Sequence, residues 1–347
     1  MLRERACLHA DTPSRLAFRA RSRPSSYAQL PPRPQIAAEA WLAARRRRSI
    51  GVMNDDLAAL FEAQRGVATN AQILAHLTRR QFEFAVKTGV LERMWQGVYC
   101  AGAPTDELRL RGLDLSAGKR VAVCLGTAAA FFGFDTEEPR ALHVLNPPGC
   151  ALRDADGLVV HRRDGAPLVM VDGRRATSPA WTAVEVARSL RRPRALATLD
   201  AALRSGTCSR ADLWRAALEQ KGRRGIVAVR NLLPLADARA ESPMESEARL
   251  AMLDGGLPVP ELQYEIVDGN GELRRLDFAW PESKVAAEYD GVDWHGQADQ
   301  MLRDRRRHNA LADIDWTVIP IVSEDVRLRA WEMVGRIGRQ LEHPRAA

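Results

Sequence analysis

The amino-acid sequence predicts a multi-domain α/β protein, and three observations carry that reading. At 347 residues the chain exceeds what one ordinary domain holds. Hydrophobic residues make up 46% and charged residues 27%, the balance of a globular chain that buries sizeable cores. Helical and strand periodicities then alternate in three blocks, residues 53–103, 104–240 and 241–347, behind an aperiodic extension of residues 1–52. No apolar run approaches the roughly eighteen residues of a membrane span, so no membrane role is expected.

The extension accounts for the net positive charge. Its first fifty residues carry eleven arginines, four of them in the run Arg45 to Arg48, against Glu4, Asp11 and Glu39. Of the net charge of +7, nothing positive is left for the remainder, so a phosphate-binding surface there must come from local patches. Rich in Arg, Pro, Ser and Ala and without a helix or strand period, the extension is expected to be disordered, and the absence of an apolar core argues against a secretory signal. Met53 is expected to be the natural start. Cys7, Cys100, Cys124, Cys150 and Cys208 are scattered without a CxxC pair, which reads as reduced thiols in a cytoplasmic protein rather than a zinc site or disulfide framework.

Next come three helices. Leu57, Leu60 and Phe61 share a helical face; Val67-Ala68-Thr69-Asn70 opens a second helix continued by Ile73, Leu74 and Leu77. A third runs from its N-cap Thr78 through Phe82 and Val86 to Gly89. Val90 to Trp95 and Val98-Tyr99 then flank Gln96-Gly97 as a hairpin. Three helices and a hairpin make the winged helix-turn-helix. This segment, with Gly89 to Tyr99 as its carrier, resembles the N-terminal winged helix of AbiEi-type antitoxins. That resemblance implies DNA binding through the helix bearing Arg79, Arg80 and Lys87, and a cognate toxin as a partner. Solvated charges on a structural helix explain the same residues.

Residues 104–240 read as an α+β region. Apolar strands are expected at Val121 to Cys124, Leu142 to Leu145 and Leu158 to His161, with helices near Pro179 to Leu190 and Arg194 to Leu203. His143 and His161 have no second ligand at metal spacing and read as structural. The Thr127 to Phe134 segment and the Thr177 to Thr182 turn resemble the middle of AbiEi-like proteins.

Chemistry concentrates further on. Leu276 to Trp280 and Val285 to Asp290 flank Pro281-Glu282-Ser283-Lys284 as a β-hairpin. With Trp280 opposite Val285, counting outward sets Asp277 opposite Glu288. Unbroken alternation puts Leu276, Phe278, Trp280, Val285, Ala287 and Tyr289 on a core face and Asp277, Ala279, Ala286, Glu288 and Asp290 on the other. Carboxylates facing each other at about 5 Å repel, and a divalent cation such as Mg²⁺ relieves them; a solvated acidic face is the alternative. Upstream, Ser242, Pro243 and Glu245 form a capping box that accounts for Glu245. Downstream, His295 is a candidate general acid or base, and Arg303, Arg306 and Arg307 gather on one helix suited to phosphates.

The combination Glu245 with Arg249, Arg275-x-Asp277-Phe278, Glu288-Tyr289-Asp290-Gly291, Trp294-His295, Asp304-x-Arg306 and Trp316-x-Val318 resembles the very-short-patch repair endonucleases of the PD-(D/E)xK superfamily. The resemblance spans roughly residues 241–330 and implies a restriction-endonuclease-like α/β domain hydrolysing phosphodiesters with Mg²⁺. Asp277, Glu288 and Asp290 would be the metal ligands, and Glu245 and His295 would join them as catalytic groups. Asp290 stands where the superfamily motif has lysine. No cysteine follows Cys208, so the zinc site of the repair enzymes has no counterpart. A non-catalytic antitoxin-like DNA-binding regulator is the other reading.

Overall fold

The computed structural model describes residues 54–134, 136–137, 141–162, 165–291 and 298–342, with the side chains of 298–304 left aside. The described residues are mixed α/β and form three sheets.

The first begins with α1 (Asp55–Ala63), capped by the Asn54 side chain, then β1 (Val67–Thr69), α2 (Asn70–Leu74), α3 (Arg79–Lys87), β2 (Leu91–Trp95) and β3 (Val98–Ala101). Strands order β1-β3-β2. Thr69 and Thr78 each cap their helix with a full box, to Gln72 and Gln81 respectively, which explains why two helices as short as these begin where they do. Gly97 turns the hairpin at φ +73° and Gly89 ends α3 at φ +70°. The three helices and the hairpin expected from the sequence are therefore present. The arrangement gains one element, since Val67–Thr69 is a strand before Thr69 serves as the N-cap. Leu57, Phe61, Ile73, Leu77, Ala85 and Leu91 form its core.

Helix α4 (Asp106–Ala117) packs across this sheet. Gly112 makes that approach close: a Cβ there would meet Met94, Trp95 and Val98 at 3.1–3.2 Å. One continuous core runs from Val67, Trp95 and Val98 through Leu108 and Leu113 to Val123, Val144 and Leu158. It joins the winged part to the second sheet, formed by β4 (Ala122–Val123), β5 (Leu142–Leu145), β6 (Leu158–His161), β7 (Leu168–Val171) and β8 (Arg174–Thr177) in the order β6-β5-β4-β8-β7.

Helices α5 (Leu125–Phe132), α6 (Pro179–Ala187), α7 (Arg192–Arg204), α8 (Arg210–Glu219) and α9 (Ile226–Leu232) bundle around Leu196, Leu199, Leu213 and Leu232. Gly225 starts α9 at φ +83°, and a Cβ there would lie 2.5 Å from the Arg188 carbonyl oxygen. Backbone on one side and left-handed φ on the other leave no relaxation, so Gly225→Ala is expected to cost at least about 1–2 kcal/mol; a urea melt checks this.

The third sheet follows α10 (Pro243–Asp254) and comprises β9 (Glu261–Val267), β10 (Leu273–Trp280) and β11 (Val285–Tyr289), then, after α11 (Ala298–Ala312), β12 (Thr317–Ile321). β9, β10 and β11 form an antiparallel meander and β12 adds parallel to β11. Helices α12 (Ser323–Arg327) and α13 (Ala330–Glu342) close the unit. The hairpin has the expected register, Trp280 opposite Val285 and Phe278 opposite Ala287.

Alternation does not run unbroken along it. Phe278, Trp280, Val285 and Ala287 pack against Ala248 and Met252 of α10 and Met333 and Ile337 of α13. Leu276, expected on that face, lies instead with Ala279, Ala286, Leu311 and Trp316. Both paired strands change face at the same place, between Leu276 and Phe278 on β10 and between Tyr264 and Leu262 on β9, where Gln263 adopts φ +54°. Ala279 and Ala286 are small because Leu311 and Trp316 cover them, rather than to leave room for a ligand. No described helix is long and apolar enough to cross a membrane.

Candidate functional site

Two sites follow from this scaffold. The first is the outer face of α3. Ala85 points into the core and Phe82 sets its ring edge-on against Tyr99 at 5.0 Å, which fixes the helix about its axis. Arg79, Arg80, Phe84 and Lys87 are consequently exposed together. Arg79 is bridged to Glu83 at 3.2 Å, a contact between two solvated side chains that costs little to exchange for a phosphate.

The second site is a pocket of about 420 Å³ at the open end of the β10–β11 hairpin, lined by Arg274, Arg275, Asp277, Glu288, Tyr289 and Arg307. Asp277 Oδ2 accepts the Tyr289 N–H at 2.8 Å, so the carboxylate closes the strand pair where ladder pairing ends. Burial pushes its pKa up, against the pull of that N–H and of the nearby Arg307 charge. Glu245 comes in from the first turn of α10. Its N–H is capped by the Ser242 hydroxyl at 3.1 Å, but its carboxylate overshoots the N-cap backbone and accepts instead from Glu241 N at 2.8 Å and Gln263 Nε2 at 3.1 Å. The expected capping box is thus only half made, and the left-handed turn at Gln263 brings the carboxamide to Glu245. Burial raises the Glu245 pKa, and the Asp277 charge adds to the rise.

Glu288 also lines the pocket. It has a cation of its own: Arg307 Nη2 donates to Glu288 Oε1 and, at 3.1 Å, to the Arg275 carbonyl. Arg275 in turn is held by Glu241 at 2.7 Å, and Arg274 by Asp268 at 2.6 Å. Asp290 lies past the last residue of β11 and is exposed, its N–H held by the Ile321 carbonyl at 2.8 Å. Among the described residues no three His, Cys, Asp or Glu side chains converge closely enough to hold a metal ion. Asp290 is exposed and Glu288 is paired with Arg307, so the three carboxylates expected on one Mg²⁺ are not gathered together among the described residues. His295 lies outside the described residues, as does the side chain of Arg303. Arg306 is exposed, whereas Arg307, expected on a phosphate, faces Glu288.

A contact between histidines was not foreseen. Parallel pairing of β5 with β6 puts His143 Nδ1 2.9 Å from His161 Nε2, with the rings stacked at 5.1 Å. Each supplies the other's hydrogen bond.

Comparison with known proteins adds the family. The uncharacterized proteins MT2308 and Rv2248 of Mycobacterium tuberculosis, from strains CDC 1551 / Oshkosh and ATCC 25618 / H37Rv, are each 55% identical to this chain over 271 residues. The alignment takes in 78% of this chain and 100% of each relative. The chain belongs to the family of these mycobacterial proteins. Within this family member, residues 121–235 match the AbiEi antitoxin C-terminal domain. That match opens just ahead of β4, ends at the 3-10 turn Leu233–Leu235, and so takes in the five-stranded sheet and the α5–α9 bundle. The outer face of α3 lies before the matched segment and the carboxylate pocket after it.

Proposed function

We propose that the protein is an antitoxin-like DNA-binding regulator that grips duplex DNA with the outer face of α3 and has a cognate toxin as its partner. The observation that carries this reading is the AbiEi antitoxin C-terminal domain match of residues 121–235, set behind a winged helix whose exposed helix presents Arg79, Arg80 and Lys87. Phosphate contacts supply the affinity, and Phe84 between them offers an apolar contact to base edges or sugar.

The test is binding of labelled duplex DNA over a salt series. Replacing Arg79, Arg80 and Lys87 together by alanine is expected to weaken binding about a hundredfold, and to flatten the dependence of log K on log salt by about 2.7, or 0.9 per lost phosphate contact. A triple variant that binds like wild type removes α3 from the interface. Hydrolysis is read out in parallel: Mg²⁺-dependent nicking by wild type that disappears in Asp277→Ala would replace the regulator reading with that of an endonuclease. A toxin partner is checked by co-purification with the product of a neighbouring reading frame.

A further inference from the structure

The carboxylate pocket has a composition that the regulator reading leaves unused. Asp277 and Glu288 line it from β10 and β11, with Glu245 of α10 near enough to feel the Asp277 charge, and carboxyls so placed are costly in a partly buried place unless positive charge lies within reach. Arg274 and Arg275 are spoken for by Asp268, Glu272 and Glu241. The charge that reaches the pocket's interior is that of Arg307, which crosses from α11 to Glu288 and keeps its side chain only about 34% exposed. Its Nε is buried without a hydrogen-bond partner, a desolvation cost accepted with the guanidinium lodged there.

We propose that Arg307 is the resident cation of this pocket, a fixed guanidinium doing beside Asp277 and Glu288 the neutralising work of a divalent ion and keeping such an ion out. A monovalent side chain and a divalent ion compete for the same carboxylates, and the tethered one needs no binding from solution. The pocket therefore has part of its negative charge offset without metal and becomes a divalent-cation site only when Arg307 is removed. This inference is independent of DNA binding by α3, which the salt-series assay reports separately.

The experiment uses the full chain, Mn²⁺ as the probe, and two readouts: loss of the free Mn²⁺ electron paramagnetic resonance signal, and thermal melts with and without 1 mM Mn²⁺ (about the upper range of weak metal sites). Wild type and Arg307→Lys are expected to take up no Mn²⁺ and to melt unchanged. Arg307→Gln is expected to melt lower in chelator, to recover on adding Mn²⁺, and to bind the ion more tightly than wild type by on the order of tenfold or more, the scale on which groups near a metal tune its affinity. Mn²⁺ uptake by wild type equal to that of Arg307→Gln overturns the proposal. So does an Arg307→Gln chain that neither binds Mn²⁺ nor regains its melting temperature with it.

Discussion

Arg249→Met is expected to destabilise the protein by about 3–5 kcal/mol at neutral pH, the cost of stripping one partner from a buried ion pair. Arg249 leaves α10 and reaches Asp200 of α7 at 2.8 Å; the two side chains are 7% and 0% exposed. A second bond, to the Leu235 carbonyl at 2.6 Å, ties the same guanidinium to the end of the helical bundle. One residue pair thus joins the AbiEi-matched segment to the unit carrying the carboxylate pocket. Beside it, the buried Glu247 is ringed by Arg191, Arg194 and Arg327 at 3.1–3.7 Å. Burial pushes the Asp200 pKa up in the fold, and the Arg249 charge pulls it back. A carboxyl whose folded pKa exceeds its unfolded one favours the fold most when protonated, and its contribution declines as pH rises from about 3.9 through the folded value. Without Arg249 the folded value climbs further. The penalty of Arg249→Met is therefore expected to be largest near pH 7 and to shrink toward pH 4, and Asp200→Asn added to it is expected to recover part of the loss. Urea titrations at both pH values measure this, and an identical penalty at the two would mean that lost packing, not stranded charge, sets the cost.

Local signals were legible and distant ones were not. The first helices and hairpin could be read because Thr69, Thr78, Gly89 and Gly97 announce their caps and turn within a few residues of the apolar positions they serve. The register of the β10–β11 hairpin followed from its short turn and came out as expected. What defeated the reading was each contact made across sequence. Arg249 looked like part of a nuclease signature, and its partner lies 49 residues upstream in another helix. Arg307 looked like a phosphate ligand, and its place beside Glu288 depends on how α11 packs over the sheet. His143 and His161 meet only because β5 and β6 pair in parallel. Strand β7 stayed hidden because Leu168, Val169 and Met170 are all exposed, so no alternation marks it. The left-handed position of Gln263 carries no glycine or asparagine to signal it, yet it coincides with the change of face on which the assignment of Leu276 rested.

Two neighbouring substitutions on β10 are expected to act in opposite directions. Phe278 is 1% exposed and packs among Ala248, Met252, Met333 and Ile337, so Phe278→Ala opens a cavity between strand and helices and is expected to cost about 3–5 kcal/mol. Asp277→Asn removes a charge that burial disfavours. Its pKa is raised in the fold, so ionising it as pH climbs toward neutral takes stability away. Asparagine keeps an oxygen to accept the Tyr289 N–H and lifts the Asp277 charge from Glu245, whose own pKa that charge helps to raise. A gain on the order of 0.5–2 kcal/mol at pH 7 is expected, with a flatter pH dependence between 4.5 and 7 than wild type. Stability given up to keep a carboxyl in place is what a site retained for a task looks like, whereas a merely structural carboxyl would be missed when neutralised. Denaturant midpoints of the two variants decide between these, and an Asp277→Asn chain weaker than wild type at pH 7 would make Asp277 a structural bond to Tyr289 and nothing more.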